Sequence, residues 1–355
     1  MKRSLLATLL ALLPLSALAQ RAPTLNAALT DYATRSLAKC PDSKVTVGPF
    51  GQPGGPAGFT VYTLDQESPD PSCQRKTLML YSPQTGQVLI GTIFTLDQSG
   101  KPVTARIAAV ASAALKQPVV ATVAPFPLPD GLHAVSIVKQ SKGVGGFSYH
   151  GFLDASNNYL IIGPRGNLRE DPGKTIVDSI GLGGATHRGN KKAAVQIIEL
   201  SDFECPTCAK AHKRVEPIIA KNLDKVDYYR LDLPLFEHHE WALAAALGAR
   251  AISKVAPTKY WAYVNYVFEN QETIGKQSFD KFFQNFCEDN DVNWKAAEKI
   301  YHSPVEKKAL VDQVGRAFDN GILSTPTYII NGQILGFGPE GSFTVDAIKK
   351  SIGVK

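Results

Sequence analysis

Two rhythms of apolar residues divide the chain. Up to about Arg165, stretches with small and apolar residues at helical spacing alternate with β-rich stretches broken by turn residues. Leu25–Ala38 and Val103–Lys116 have the helical spacing. A similar phrase follows each. Thr46-Val47-Gly48-Pro49-Phe50 runs on to Pro53 and Gly55, and Thr122-Val123-Ala124-Pro125-Phe126 runs on to Pro129 and Gly131, offset by 76 residues. Val88-Leu89-Ile90-Gly91 returns as Leu160-Ile161-Ile162-Gly163 at an offset of 72. The pattern predicts two copies of one unit, over about 25–97 and 101–165: a helix, a Pro/Gly turn and a β-meander. Pro83–Gly86 separates the β-like runs Thr77–Tyr81 and Gln87–Thr95, and Ser156–Asn158 separates two more.

From Ala193 the rhythm changes. Val195–Leu200 and Val226–Leu235 read as runs of the kind that form buried strands. Helical spacing follows at about Glu240–Lys254, Thr258–Asn270, Ser278–Asp289, Asn293–Tyr301 and Val305–Asn320. Thr327–Asn331 and Gln333–Phe337 flank Asn331-Gly332, a strong hairpin signal, and Thr344–Ile352 closes the chain as a helix. Residues 166–192 are polar and Gly-rich and read as a linker. The expected architecture is therefore an α+β region over 20–165 followed by an α/β domain over 193–355. Gly173-Lys174-Thr175 looks like the tail of a phosphate-binding loop, but Leu168 stands where the first Gly is required and no strand leads in, so nucleotide binding is rejected.

With 355 residues, 44% hydrophobic and 20% charged, the chain is too long for one ordinary domain and too apolar to be disordered. The formal charge of +6 is mild and scattered, and two of those charges are Lys2 and Arg3, so no nucleic acid partner is expected. Lys2 and Arg3 precede the apolar run Leu5–Leu15 and then Ala17-Leu18-Ala19. This is the order of a cleaved secretory signal, and the run is shorter than the roughly 20 residues that span a bilayer. The expectation is an exported, periplasmic protein, soluble after cleavage near Ala19. Export permits disulfides, and the odd count of five Cys leaves at least one without a partner in the chain.

The chemistry concentrates at Asp202-Phe203-Glu204-Cys205-Pro206-Thr207-Cys208, which follows a strand and opens a helix. A C-x-x-C at a helix start sets its first sulfur among free backbone N–H groups and the positive end of the helix dipole. Both favour thiolate, making Cys205 a nucleophile, with Cys208 one turn on to close a disulfide. Pro206 suits the first helical turn, where its missing N–H costs nothing. A zinc site would need a second pair of ligands, and His212 alone does not supply one. No metal is expected, and an inert structural disulfide would be strained in so short a loop. Glu199, inside the apolar strand, is a candidate to take a proton from the buried thiol, with an edge-strand Glu facing water as the plainer reading. Thr325-Pro326-Thr327 enters the strand Tyr328–Ile330, where a cis Pro326 would leave the Thr325 backbone free to pair with an extended substrate.

From about Arg188 onward the sequence resembles the DsbA-like thiol:disulfide oxidoreductases of the thioredoxin superfamily. Three blocks carry the likeness: Ile198–Cys208, Leu233-Pro234-Leu235 with nearby His238, and Ser324–Gly332. The resemblance implies a thioredoxin fold with a helical insertion at about 238–320 and exported thiol–disulfide exchange with cysteine-containing or unfolded proteins. It implies Cys205 as attacking sulfur, Cys208 as resolving sulfur, Glu199 as buried acid and Pro326 as cis-proline. Thr325, Pro206 and Thr207 are the expected substrate-binding positions. No cofactor is implied, because the dithiol carries the electrons, and a membrane redox partner is implied as re-oxidant. Net oxidation is the preferred direction. Thr207 stands where the best-known oxidase has His, which removes a cation beside Cys205, and Thr325 is familiar from isomerase relatives that dimerise through an N-terminal domain. An isomerase or reductase, a homodimer through the N-terminal half, and a client-binding chaperone therefore stay open.

Cys40 and Cys73, the two Cys of the front half, are expected to form a structural disulfide. Cys287 lies on the aromatic face of Phe282–Cys287 and is expected to pack in a core. Glu237-His238-His239-Glu240 looks metal-like but falls at a helix start, where such residues serve as caps. Tyr260, Trp261, Tyr263, Tyr266 and Phe268 are expected in the core rather than at the site.

Overall fold

The computed structural model describes residues 24–52, 54–139, 148–274, 278–336 and 341–354. Residues 1–23, where a signal segment is expected, and Pro53 and Phe337 lie outside the described residues. The front half opens with α1 (Leu25–Ser36), followed by β1 (Lys44–Pro49), β2 (Thr60–Glu67), β3 (Arg75–Tyr81) and β4 (Gln87–Thr95). Then α2 (Val103–Leu115) precedes β5 (Val119–Pro127), β6 (His133–Lys139), β7 (Ser148–Leu153) and β8 (Tyr159–Ile162), with β9 (Arg165–Asn167) last. Thr24 starts α1 by accepting a hydrogen bond from the Ala27 N–H at 3.4 Å, and Lys116 ends α2 in the left-handed conformation.

The strands form one sheet in the order β1-β2-β3-β4-β8-β7-β6-β5, with β9 paired to β4. Each half of that sheet is a four-stranded antiparallel meander with its own helix, so the front half is two tandem helix-plus-meander units joined through β4 and β8. Leu29, Tyr32 and Ala33 of α1 bury against Leu64, Met79 and Val88. Ile107 and Ala111 of α2 bury against Val119, Val135 and Leu160 in the same way. The seam explains the repeated phrase. A Cβ on Gly91 would lie 2.0 Å from the Ile162 carbonyl oxygen, and one on Gly163 would lie 2.0 Å from that of Ile90. The two units meet backbone to backbone at this pair, so only Gly fits either position.

The segment expected as a linker carries regular structure instead. It holds α3 (Pro172–Ile180), capped by the Asp171 side chain accepting from the Lys174 N–H at 3.0 Å, and β10 (Thr186–Gly189). Ile176 and Ile180 give α3 an apolar face that packs with Ile198, Leu231 and Ile329, and this burial outweighs the local Gly and polar content. Gly173 belongs to this docking, since a Cβ there would meet the Gly332 carbonyl oxygen at 2.7 Å. The run Gly181–Gly184 is the connecting loop.

The second sheet has the order β10-β12-β11-β13-β14 and so begins at Thr186 rather than at residue 193. Its strands are β11 (Val195–Ser201), β12 (Val226–Asp232), β13 (Thr327–Ile330) and β14 (Gln333–Leu335). Helix α4 (Pro206–Ala220) connects β11 to its parallel neighbour β12. Between β12 and β13 lie α5 (Ala242–Val255), α6 (Tyr260–Glu269), α7 (Gln271–Ile274), α8 (Phe279–Asp289), α9 (Trp294–Tyr301) and α10 (Pro304–Asp319). Helix α11 (Ser342–Ser351) follows the sheet. β12 stops at Asp232, short of the expected Leu235, because the run continues into Leu233-Pro234 and Pro cannot donate to a ladder. The inserted helices bury a large aromatic core that takes in Tyr260, Tyr263, Phe283, Phe286 and Cys287. No described helix is long and apolar enough to cross a membrane.

The front half is fastened to the edge of the second sheet. The Lys39 N–H donates to Ile334 O at 2.8 Å, and Gly336 N–H donates to Lys39 O at 3.0 Å, so the chain after α1 caps the edge strand β14. Ion pairs add Lys139 with Glu237, and His150 with Asp319 at 2.8 Å.

Candidate active site

Cys205 caps α4 from its N-terminus in extended conformation, and Pro206 takes the first helical position. The Cys205 carbonyl accepts from the N–H of Cys208 at 3.0 Å and of Ala209 at 3.2 Å, which starts the helix. Both thiols are free. Cys205 is 8% exposed and Cys208 is fully buried, while Pro206 and Thr207 stand exposed beside them. The asymmetry is chemical as well. A hydrogen bond from Cys208, opposed by burial and helped by the backbone N–H groups of the first turn, lowers the Cys205 pKa to about 6. Burial, then the neighbouring Cys205, pushes the Cys208 thiol well up. One sulfur is a thiolate at neutral pH and the other stays a thiol.

Facing Cys205 is the loop before β13. The peptide bond Thr325–Pro326 is cis, and Cys205 Sγ lies 3.7 Å from the Thr325 carbonyl oxygen. Thr327 Oγ1 donates to Ser324 O at 2.7 Å and holds the loop from its own side.

Sequence reasoning missed the residues that brace the cysteine turn. Asp202, 1% exposed, accepts from the Glu204 N–H at 2.8 Å with Oδ1, and with Oδ2 contacts the Leu235 N–H at 2.7 Å and His239 Nδ1 at 2.8 Å. Gln271 donates its amide to Phe203 O at 2.7 Å and to Cys205 O at 3.2 Å. Glu204 Oε2 accepts from the Trp241 N–H at 2.6 Å. His239 pairs with Asp202 rather than capping a helix: α5 starts only after Trp241, and no side chain caps it. Against the pull of burial, the Asp202 hydrogen bond raises the His239 pKa, and the Cys205 charge acts in the same direction. Protonation of His239 is thus favoured near Cys205, where Thr207 offers no such group. The two acids Asp202 and Glu204 just before Cys205 were the available signal; which His would reach Asp202 was not.

Glu199 sits on β11, between β12 and β13, and is 1% exposed, so it does not face water from an edge. Tyr228 donates its hydroxyl to Glu199 Oε2, Arg230 Nε lies 3.9 Å from Oε1, and Arg230 also binds Asp232. The Arg230 guanidinium lies over the Phe203 ring at 4.3 Å, which places this buried charge cluster behind the cysteine turn. Burial raises the Tyr328 phenol, and its neighbours Glu199, Tyr228 and Cys208 act in the same direction.

In the front half, Cys40 and Cys73 form a disulfide. Among the described residues, no group of three or more His, Cys, Asp or Glu is arranged to hold a metal ion.

Residues 182–353 match the family model described as Thioredoxin. The C-terminal half is a thioredoxin-family domain. This domain is 22% identical over 152 residues to Disulfide bond formation protein D of Bacillus subtilis, covering 41% of this chain and 68% of that protein. It is also 22% identical over 168 residues to Na(+)/H(+) antiporter NhaA 3 of Salinispora tropica, covering 46% of this chain and 24% of the antiporter. The chain thus spans about a quarter of the length of the curated antiporter it matches. Similar solved structures include alpha-DsbA1 of Wolbachia pipientis, with a TM-score of 0.42 and 20% identity over 49% of this chain and 93% of that one. BdbD of Bacillus subtilis has a TM-score of 0.40 and 19% identity over 49% and 95%. Within the thioredoxin domain, β11 and α4 supply the dithiol, β13 follows the cis-proline, and α5–α10 are the insertion that braces the cysteine turn through His239, Trp241 and Gln271.

Proposed function

We propose that the chain is an exported thiol–disulfide oxidoreductase that exchanges disulfides with cysteine-containing proteins, with net oxidation as its direction. One observation carries the reading: a low-pKa thiol at a helix N-terminus, beside a cis-proline loop, with a buried high-pKa partner one turn on. A substrate thiolate attacks Cys205 Sγ of the disulfide form; the Cys205–Cys208 bond breaks and a mixed disulfide forms. Cys208 leaves and takes up a proton, for which Glu199 is the proposed buried carrier. A second substrate thiolate then attacks the substrate sulfur and releases Cys205 as thiolate. The substrate loses two electrons and the dithiol gains them, and a membrane redox partner is the proposed acceptor that restores the disulfide. The low pKa favours this direction, since whatever stabilises the reduced dithiol makes the disulfide more oxidising.

The test mixes oxidised protein with a reduced, unfolded cysteine-containing protein such as ribonuclease A. Disulfides should pass to the substrate in stoichiometric amount, none should pass with Cys205→Ser, and Cys208→Ser, given the same substrate in its disulfide form, should accumulate the mixed disulfide as its Cys205 thiolate breaks a substrate disulfide and a substrate thiol leaves. Failure to oxidise any reduced protein, while dithiothreitol still reduces the Cys205–Cys208 pair, would overturn the reading. Thiol trapping in cells of the source organism tests the direction: a mostly reduced pair refutes net oxidation and supports isomerase or reductase action.

A further inference from the structure

The cis-proline loop faces the front half across a hollow of about 290 Å³. On one side lie Leu323 to Thr327; on the other lie the Cys40–Cys73 disulfide and Arg75, the first residue of β3. A second hollow, of about 430 Å³, runs on from the first toward Tyr149 and His150, and Arg75, Gly321 and Leu323 border both. A single trough therefore leads from the residues facing Cys205 into the joint between the two halves.

Three features make this trough a binding surface. Arg75 has no carboxylate partner among the described residues, whereas His150, further along, is paired with Asp319. Leu323 is 59% exposed, an apolar side chain at the rim beside that cation. The disulfide also fixes where Arg75 stands. Cys40 follows Lys39, which is hydrogen-bonded to β14, and Cys73 precedes Arg75 by two residues, so the covalent bond ties the start of β3 to the edge of the thioredoxin sheet. Gly336 leaves room for this tether, since a Cβ there would lie 2.8 Å from Cys40 Sγ.

We infer that the front half selects substrate: the trough takes an extended segment flanking the substrate's reactive cysteine, and Arg75 pairs with an acidic side chain on that segment. This rests on the exchange activity proposed above. The Thr325 backbone is placed to meet the segment nearest the cysteine, and Arg75 reads a carboxylate farther along the same extended chain.

The test compares two reduced peptides with one central cysteine, alike except that the flanking residues are Glu in one and Lys in the other. The rate of attack on the Cys205–Cys208 disulfide is followed by thiol trapping on the full mature chain. The Glu peptide should react about fivefold faster, the ratio that one partly exposed ion pair supports. Arg75→Glu should abolish or invert the ratio, while Lys101→Glu, an equal charge change on an exposed loop, should keep it. Equal rates for the two peptides, or an unchanged ratio in Arg75→Glu, overturns the inference and leaves the exchange activity standing. If neither peptide reacts, the proposed activity falls instead. Fluorescence anisotropy of labelled peptides carrying Ser for Cys then decides the inference: tighter binding of the Glu peptide, lost in Arg75→Glu, sustains it, and equal binding overturns it.

Discussion

The pKa asymmetry of the two cysteines fixes how the reduction potential must vary with pH. A thiol with a pKa of about 6 is about ten parts thiolate to one part thiol at pH 7, whereas a thiol at its ordinary value is almost wholly protonated there. Ionisation therefore stabilises the reduced dithiol at pH 7 by about 1.4 kcal/mol, which for a two-electron couple is about 30 mV toward the oxidising side. Below pH 6, reduction takes up two protons with two electrons, and the potential falls by about 59 mV per pH unit. Above pH 6 only Cys208 takes a proton, and the slope halves to about 30 mV per unit. Cys208 adds no second break up to pH 8, because burial keeps it a thiol throughout.

The assay equilibrates the mature chain with thiol–disulfide redox buffers from pH 4.5 to 8 and counts the oxidised fraction by alkylation and mass spectrometry. A single break near pH 6 is expected. A slope that stays near 59 mV per unit through pH 8 would refute the thiolate argument, and with it the physical case for net oxidation. The same ionisation links to folding, and its sign is fixed. The Cys205 pKa is lower folded than unfolded, so its contribution to the reduced chain's stability is fully present above the unfolded thiol's value and is lost as pH falls through about 6. The oxidised chain has no such thiol, so the gap between the two midpoints in urea should change over that window.

Three further variants probe what holds the site. Gly336→Ala would bring a methyl group to 2.8 Å from Cys40 Sγ and 3.5 Å from Cys73 Sγ, two sulfurs that a covalent bond keeps from moving aside; a loss of about 1–3 kcal/mol is expected in urea unfolding. Cys40→Ala with Cys73→Ala opens a loop closed by residues 33 apart, so the chain-entropy model predicts a loss of about 3–4 kcal/mol, read as a lower unfolding midpoint that reducing agent does not lower further at this bridge. Arg230→Met should cost about 3–5 kcal/mol, because it strands the buried carboxylates of Glu199 and Asp232; an unchanged midpoint would show that the cluster is neutral in the wild type.

The elements most legible in the sequence are those whose signals are local. Asn331-Gly332 names its own hairpin, and both residues do take positive φ. The repeated Ile-Gly phrase marks the seam of the duplicated sheet because both Gly residues are needed there for the same steric reason. The likeness to thioredoxin-family sequences likewise falls on the C-terminal half, where the family match lies. The misreadings have an equally definite cause. Helix α3 has nine residues flanked by Gly and polar side chains, and only its two buried Ile residues, meeting a sheet formed later in the chain, make it stable. Nothing in the sequence singles out Arg230, because its partners Glu199, on another strand, and Asp232 come together only in the folded sheet.

The joint between the halves was the least legible part, because nothing local encodes it. Lys39 bonding to β14, Lys139 to Glu237 and His150 to Asp319 join residues far apart in the chain, with no shared spacing to betray them. Yet this joint decides what the front half can do. Its contacts fall on the β14 edge, on α10 and on the loop before α5, and Arg75 lines the hollow bounded by the cis-proline loop. A front half that only dimerised would have no need to reach the loop facing the reactive cysteine. The contact pattern therefore favours a front half that works on the same substrate as the dithiol, and the peptide ratio at Arg75 is where that argument meets a number.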